Sequence, residues 1–71
     1  MTSTYTPPPV GPRIANARKV ANLTQAFVAS KVGLTQPGLS EIERGERMPS
    51  VKSIILIANA LGVSVARLLE R

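Results

Sequence analysis

Four helix-stopping residues, each followed by a helix-starting one, punctuate this chain: Asn22 then Thr24, Gly33 then Thr35, Gly45 then Ser50, and Gly62 then Ser64. Thr and Ser side chains accept hydrogen bonds from the orphan N–H groups of a first helical turn, whereas Gly and Asn tolerate the left-handed backbone on which helices end. A chain marked in this way folds into short helices. Between the marks the apolar residues recur with helical spacing, and no stretch alternates with a period of two, so strands are not expected.

The marks predict five helices. In the first, Gly11 serves as cap and Pro12 as first helical residue, with Ile14, Ala17 and Ala21 on one face and Asn22 as the stop. The second spans Gln25 to Val32 with Val28, Ala29 and Val32 inward. The third is capped by Thr35, buries Leu39 and Ile42, and stops at Gly45. The fourth follows Ser50, carries a stripe of Val51, Ile54, Ala58 and Leu61, and ends at Gly62. The fifth follows Ser64 and carries Val65, Leu68 and Leu69. Residues 1–10 contain a triple proline and a run of Thr and Ser; they read as a flexible Thr/Pro-rich tail ahead of one folded domain, 11–71, with Tyr5 docking locally. The expected fold class is therefore all-α, a compact five-helix bundle.

Composition removes whole classes of function. There is no His, Cys or Trp, and every acidic residue is Glu. Thiolate chemistry and the commonest zinc ligands have no residues to work with, and the Glu are grouped with arginines in a chain that has nothing to activate a nucleophile, so neither an enzyme nor a metal or cofactor site is expected. The longest apolar run, Ile54 to Val63, is far short of the ~20 residues that span a bilayer. The expected compartment is the cytoplasm, with no membrane partner. Nine Lys and Arg against four Glu give a net charge of +5, which suits a polyanionic partner. Arg13, Arg18, Lys19, Lys31, Arg44, Arg47 and Lys52 are spread along the chain, whereas all Glu lie at or after position 41.

The second and third helices meet the demands of a helix-turn-helix. Ala29 is small enough for two helix backbones to approach, Gly33 accepts a positive φ in the turn, Leu34 fills the corner, and Leu39 and Ile42 point inward one turn apart. Helical hairpins that bind no DNA can share this pattern.

The segment LTQAFVASKVGLTQPGLSEIERGERMPSVKSIILIANALGVSVARLLE, Leu23 to Glu70, resembles the Xre family of helix-turn-helix DNA-binding domains, which includes the lambdoid phage repressors and Cro. The marks that carry the resemblance are LTQ before the second helix, SEIERGERMPS across the end of the third, and IANALGVSVARLL near the C-terminus. With the first helix it covers about Gly11 to Arg71. It implies a lambda-repressor-like five-helix fold and sequence-specific binding of operator DNA, with the start of the third helix in the major groove.

Under that resemblance the residues facing DNA are Gln36, Pro37, Gly38, Ser40, Glu41 and Arg44. Gln36 can pair bidentately with adenine, Pro37 can touch a thymine methyl, and Ser40 can bond a base or a phosphate. Gly38 would allow close backbone approach. Glu41 is expected to pair with Arg44 or Arg47 rather than to face DNA alone. Phosphates fall to Gln25 with the N-terminal amides of its helix, and to Thr35, Arg44, Arg47 and Lys52. The resemblance also implies a structural ion pair between Arg18 and Glu43. A homodimer is expected through Ile55, Leu56, Asn59, Val63, Val65 and Leu69, because Leu56 faces away from its own core and one helix-turn-helix reads only a few base pairs. Phe27 sits at a place usually polar in the family. The reading is a transcriptional regulator, a repressor by resemblance, that binds a pseudo-palindromic operator and has no small-molecule ligand. The alternative is an antitoxin or adaptor of the same fold whose main partner is a protein.

Overall fold

In the computed structural model, which describes residues 9–70, five helices follow one another: α1 (Val10–Val20), α2 (Gln25–Val32), α3 (Gln36–Glu43), α4 (Val51–Leu61) and α5 (Val65–Leu69). Every predicted side-chain cap from α2 onward forms. Thr24 accepts from the N–H of Phe27, Thr35 from Gly38, Ser50 from Ser53 and Ser64 from Arg67. The stops are left-handed too: φ is 59° at Asn22, 74° at Gly33, 77° at Gly45 and 71° at Gly62.

α1 packs on α3, α4 and α5, and α2 packs on α3 and α4. Ile14, Val28, Leu39, Ile42, Ile57 and Leu68 are the largest fully buried side chains, one or more from every helix. Leu34 in the turn, with Val63 and Val65 near α5, packs against this core from its edge. No described helix is long and apolar enough to cross a membrane.

The start of α1 differs from expectation. The helix begins at Val10, and Val10 is only 2% exposed, so the folded domain reaches at least one residue further back than the predicted boundary at Gly11. The rest of the proposed tail, with Tyr5, lies outside the described residues. Pro12 misled the reading because proline is tolerated throughout a first turn, where the N–H groups have no intrahelical acceptor; here it is the third helical residue. At the other end the helix stops at Val20, and Ala21 is its exposed C-cap rather than part of the core face.

Gly11 is not a cap but a contact. A Cβ at this position would lie 2.1 Å from the carbonyl oxygen of Ile42 and 2.9 Å from that of Glu43. The first turn of α1 therefore rests directly on the last-turn carbonyls of α3. This contact helps set where α3 ends.

In α4 the buried arc is Ile54, Ile57, Ala58 and Leu61, whereas Val51 is 75% exposed. Ile54 and Ala58 fit either choice of edge. The arc is rotated toward Ile57 because the first turn, with Val51 and Lys52, projects past the packed layer. Predicted α3 also runs slightly long: its helix ends at Glu43, Arg44 is the C-cap, and Gly45 turns the chain away.

Gly11→Ala should lower the stability by about 3 kcal/mol, the upper end of the usual cost of forcing a methyl into a packed site. Urea denaturation of the variant measures this. An unchanged midpoint would contradict the contact between α1 and α3.

Candidate nucleic-acid interface

α3 is held at its N-terminus by the Thr35 cap and by Pro37, which occupies a first-turn position and removes a donor that would otherwise be unsatisfied. Gln36, Pro37 and Arg44 are exposed, and Ser40 and Glu41 are half-buried. Together with Gln25 from α2 they line one depression of about 310 Å³. Five of the six residues predicted to face DNA, and one predicted phosphate contact, thus share a single concave surface.

The sixth does not. Gly38 is buried, and a Cβ there would come within 3.1 Å of the Thr35 hydroxyl oxygen and 3.7 Å of Arg47 Nη1. Its small size serves the cap and the nearby arginine rather than an exposed backbone.

Beneath the depression lies a charged network. Arg18 Nε donates to Glu43 Oε2 at 2.7 Å, and Nη2 donates to Oε1 at 3.1 Å. Arg18 Nη1 donates to the carbonyl of Leu23 at 2.8 Å, and Gln25 Nε2 donates to Glu43 Oε1 at 2.9 Å. The two charged side chains are only 11% and 5% exposed. One carboxylate thereby joins α1, the start of α2 and the end of α3. Burial pushes the Glu43 carboxyl up, but hydrogen bonds from Arg18 and Gln25 outweigh it, and the net shift is below the usual carboxylate range. The same hydrogen bonds, donated by Arg18 to Glu43, raise Arg18 above its ordinary value. The Gln25 amide is engaged inward, which limits it as a phosphate donor; sequence reading missed this because its partner is eighteen residues away.

The remaining predicted contacts, Thr35, Arg47 and Lys52, are exposed. Thr35 keeps its hydroxyl proton while its oxygen caps α3. Lys52 is exposed in the first turn of α4. Glu41 lies 3.8 Å from Arg47. Arg44 pairs instead with Glu46, a residue the sequence reading did not single out: Nε to Oε2 is 2.9 Å and Nη2 to Oε1 is 3.0 Å. Residues two apart do not face each other on a helix. Only the bend through Gly45 brings them together, so helical spacing gave no signal.

On the far side of α4, Ile55 is 45% exposed and Leu56 36%, with exposed Asn59 beside them and Leu69 of α5 at 38%. Val63 and Val65 are half-buried against the core of this chain and so expose less surface than the predicted interface assumed. Phe27 is 45% exposed, with Lys31 Nζ 5.4 Å from its ring centroid, and the proline tail it was expected to cover as an alternative to α1 lies largely outside the described residues.

A family profile described as helix-turn-helix matches residues 14–68. The transcriptional repressor RstR of the cryptic phage CTXphi in Vibrio cholerae is 37% identical over 59 residues, which are 83% of this chain and 53% of RstR. The chain thus spans about half the length of that relative. Among solved structures, the P22 c2 repressor in complex with a synthetic operator superposes with a TM-score of 0.81 at 31% identity, covering 86% of this chain and 92% of that one. SinR, a master regulator for biofilm formation from Bacillus subtilis, superposes in its complex with DNA with a TM-score of 0.80 at 34% identity, covering 86% and 98%.

Glu43→Gln should cost about 3–5 kcal/mol, because it leaves the Arg18 charge buried with no counter-charge. In the wild type, a carboxyl whose folded pKa is depressed contributes its full stability above the unfolded pKa of ~4.3 and loses it as pH falls through the lower folded value. Thermal melts from neutral pH down to about pH 3 check both points. The wild type should lose stability in the acid range, and the variant should be less stable at neutral pH and lose less on acidification.

Proposed function

The chain belongs to the Xre/Cro/C1-type helix-turn-helix DNA-binding family, a non-enzymatic family of transcriptional regulators, and from that premise we propose that it binds a specific double-stranded operator through the major groove as a homodimer. The observation that carries the proposal is the convergence of Gln36, Pro37, Ser40, Glu41 and Arg44 on one depression, with Arg47 3.8 Å from Glu41. Gln36 and Pro37 lead the helix into the groove. Gln36 pairs with adenine, Pro37 meets a thymine methyl, and Ser40 completes the base-facing row. Arg44, Arg47, Lys52, the Thr35 hydroxyl and the α2 amides meet phosphates and fix the register. A regulator of genes acts where the DNA is, which in a bacterial or phage setting like that of RstR is the cytoplasm.

The dimer reading rests on the apolar face of α4. Ile55 and Leu56 are on the side of the helix away from its buried arc, next to Asn59, and Leu69 extends the surface from α5. A pseudo-palindrome requires the two copies of α3 to lie one DNA turn apart, ~34 Å, and the proposed two-fold axis runs near Leu56. Transcriptional repression, the role named for RstR, is the outcome this reading assigns to operator binding.

Random-site selection followed by titration at several salt concentrations tests DNA binding. With Arg44, Arg47 and Lys52 each neutralising a phosphate, log K against log[salt] should fall with a slope of about −2.7 per subunit, about −5.4 for the pair. A flat dependence, or no enriched site, sinks the DNA reading. Gln36→Ala should cost roughly 1–3 kcal/mol at one base pair of the selected site.

Sedimentation tests the dimer. Leu56→Glu should give a folded helical monomer with sharply reduced operator affinity and unchanged weak binding to unrelated duplex. A wild type that stays monomeric at micromolar concentration, or a variant that stays dimeric, removes this interface.

A further inference from the structure

Arg44 reaches the recognition surface with its guanidinium engaged on two sides. Glu46 accepts from Nε and Nη2 at 2.9 and 3.0 Å, and Nη1 donates to the Ser40 hydroxyl. The Nε–Nη2 edge presents two parallel N–H groups and is one of the edges a phosphate takes bidentately. Glu46 is thus a tethered anion sitting where a phosphate would otherwise bind. Of the five guanidinium N–H groups, the hydrogen bonds leave one on Nη1 and one on Nη2.

The pair does little for the fold. Its side chains are 54% and 57% exposed, and exposed ion pairs contribute little to stability. Nor is it an isolated feature, since Glu41 stands 3.8 Å from Arg47 on the same surface. Two of the three cations assigned to phosphates therefore carry a carboxylate of their own. For a protein that only had to hold DNA tightly, both acids would be counterproductive, because they cancel positive charge where the polyanion arrives. They make sense if the quantity that matters is the ratio between the cognate site and unrelated DNA.

Non-specific affinity comes almost entirely from phosphate neutralisation, whereas cognate affinity also draws on base contacts that fix the register. We propose that Glu46 is a specificity-determining residue: it occupies the Nε–Nη2 edge of Arg44, so that unrelated DNA must displace a tethered carboxylate, while the cognate register delivers a phosphate to the two N–H groups left free. Discrimination then arises by weakening the wrong complex rather than by strengthening the right one. The inference rests on the DNA-binding reading above.

The test compares wild type and Glu46→Gln by fluorescence anisotropy on two duplexes, the site recovered by selection and a scrambled sequence of equal composition, from about 50 to about 200 mM salt. Gln keeps the shape of Glu and removes its charge, and the position is exposed, so the fold should hold. Affinity for the scrambled duplex should rise about tenfold at the lowest salt, with a slope steeper by about 0.9 per subunit. Affinity for the selected site should rise much less, so that the ratio falls roughly fivefold. In an Arg44→Ala background the same substitution should leave the ratio unchanged. An equal rise on both duplexes overturns the inference, because it shows a general charge effect only; so does no rise, or a fall on both. If the wild type binds no duplex at any salt, the DNA reading and this inference fail together. Salt-dependent binding by the wild type with an unmoved ratio removes this inference alone.

Discussion

The buried Arg18–Glu43 pair is the interaction on which the placement of the recognition surface depends. Three of the five helices meet at one carboxylate: Arg18 from α1, Gln25 from the first turn of α2, and Glu43 itself from the last turn of α3. The carbonyl of Leu23 takes a further Arg18 N–H and ties in the segment between α1 and α2. Such a pair costs desolvation and returns it only through good geometry, so its net contribution to stability is modest while the cost of breaking it is large. Its consequence is positional. A helix of eight residues such as α3 is too short to hold its own orientation, and its C-terminal end is fixed from beneath by a charge pair while its N-terminal end is fixed by the Thr35 cap.

Gly11 acts on the same end of the same helix. With no side chain it lets α1 lie against the carbonyls of Ile42 and Glu43, next to the carboxylate that Arg18 binds about two turns further along α1. Apolar packing and ion pairing thus converge on the last turn of α3. The outer face of the helix is left free of structural duty: Gln36 and Pro37 touch the solvent, and the polar residues behind them line a depression. Chemistry aimed outward and constraint applied from below are separated within eight residues.

Much of this was legible in the chain. The caps Thr24, Thr35, Ser50 and Ser64 and the stops Asn22, Gly33, Gly45 and Gly62 act through bonds of three or four residues' reach, so local sequence is sufficient to place them. The pairing of Arg18 with Glu43 was reached by resemblance, since nothing local links residues twenty-five apart. The misreadings share a cause. Val10, Val51 and Ile57 have the right chemistry for the core, and helical spacing does not say at which residue a helix leaves the packed layer or toward which edge its buried arc turns.

What the chain carried on its own was five short helices over the described residues and a net positive charge, because caps, stops, periodicity and composition are local or global properties of the chain. Tertiary structure alone decided that Gly38 faces inward, that Gln25 is drawn to Glu43, and that Arg44 is held by Glu46 rather than Glu41. The physical reason is that hydrogen bonds and ion pairs are chosen by distance in space. A left-handed turn at Gly45 reverses which neighbours are close, and no periodicity in the sequence encodes where the chain goes after it.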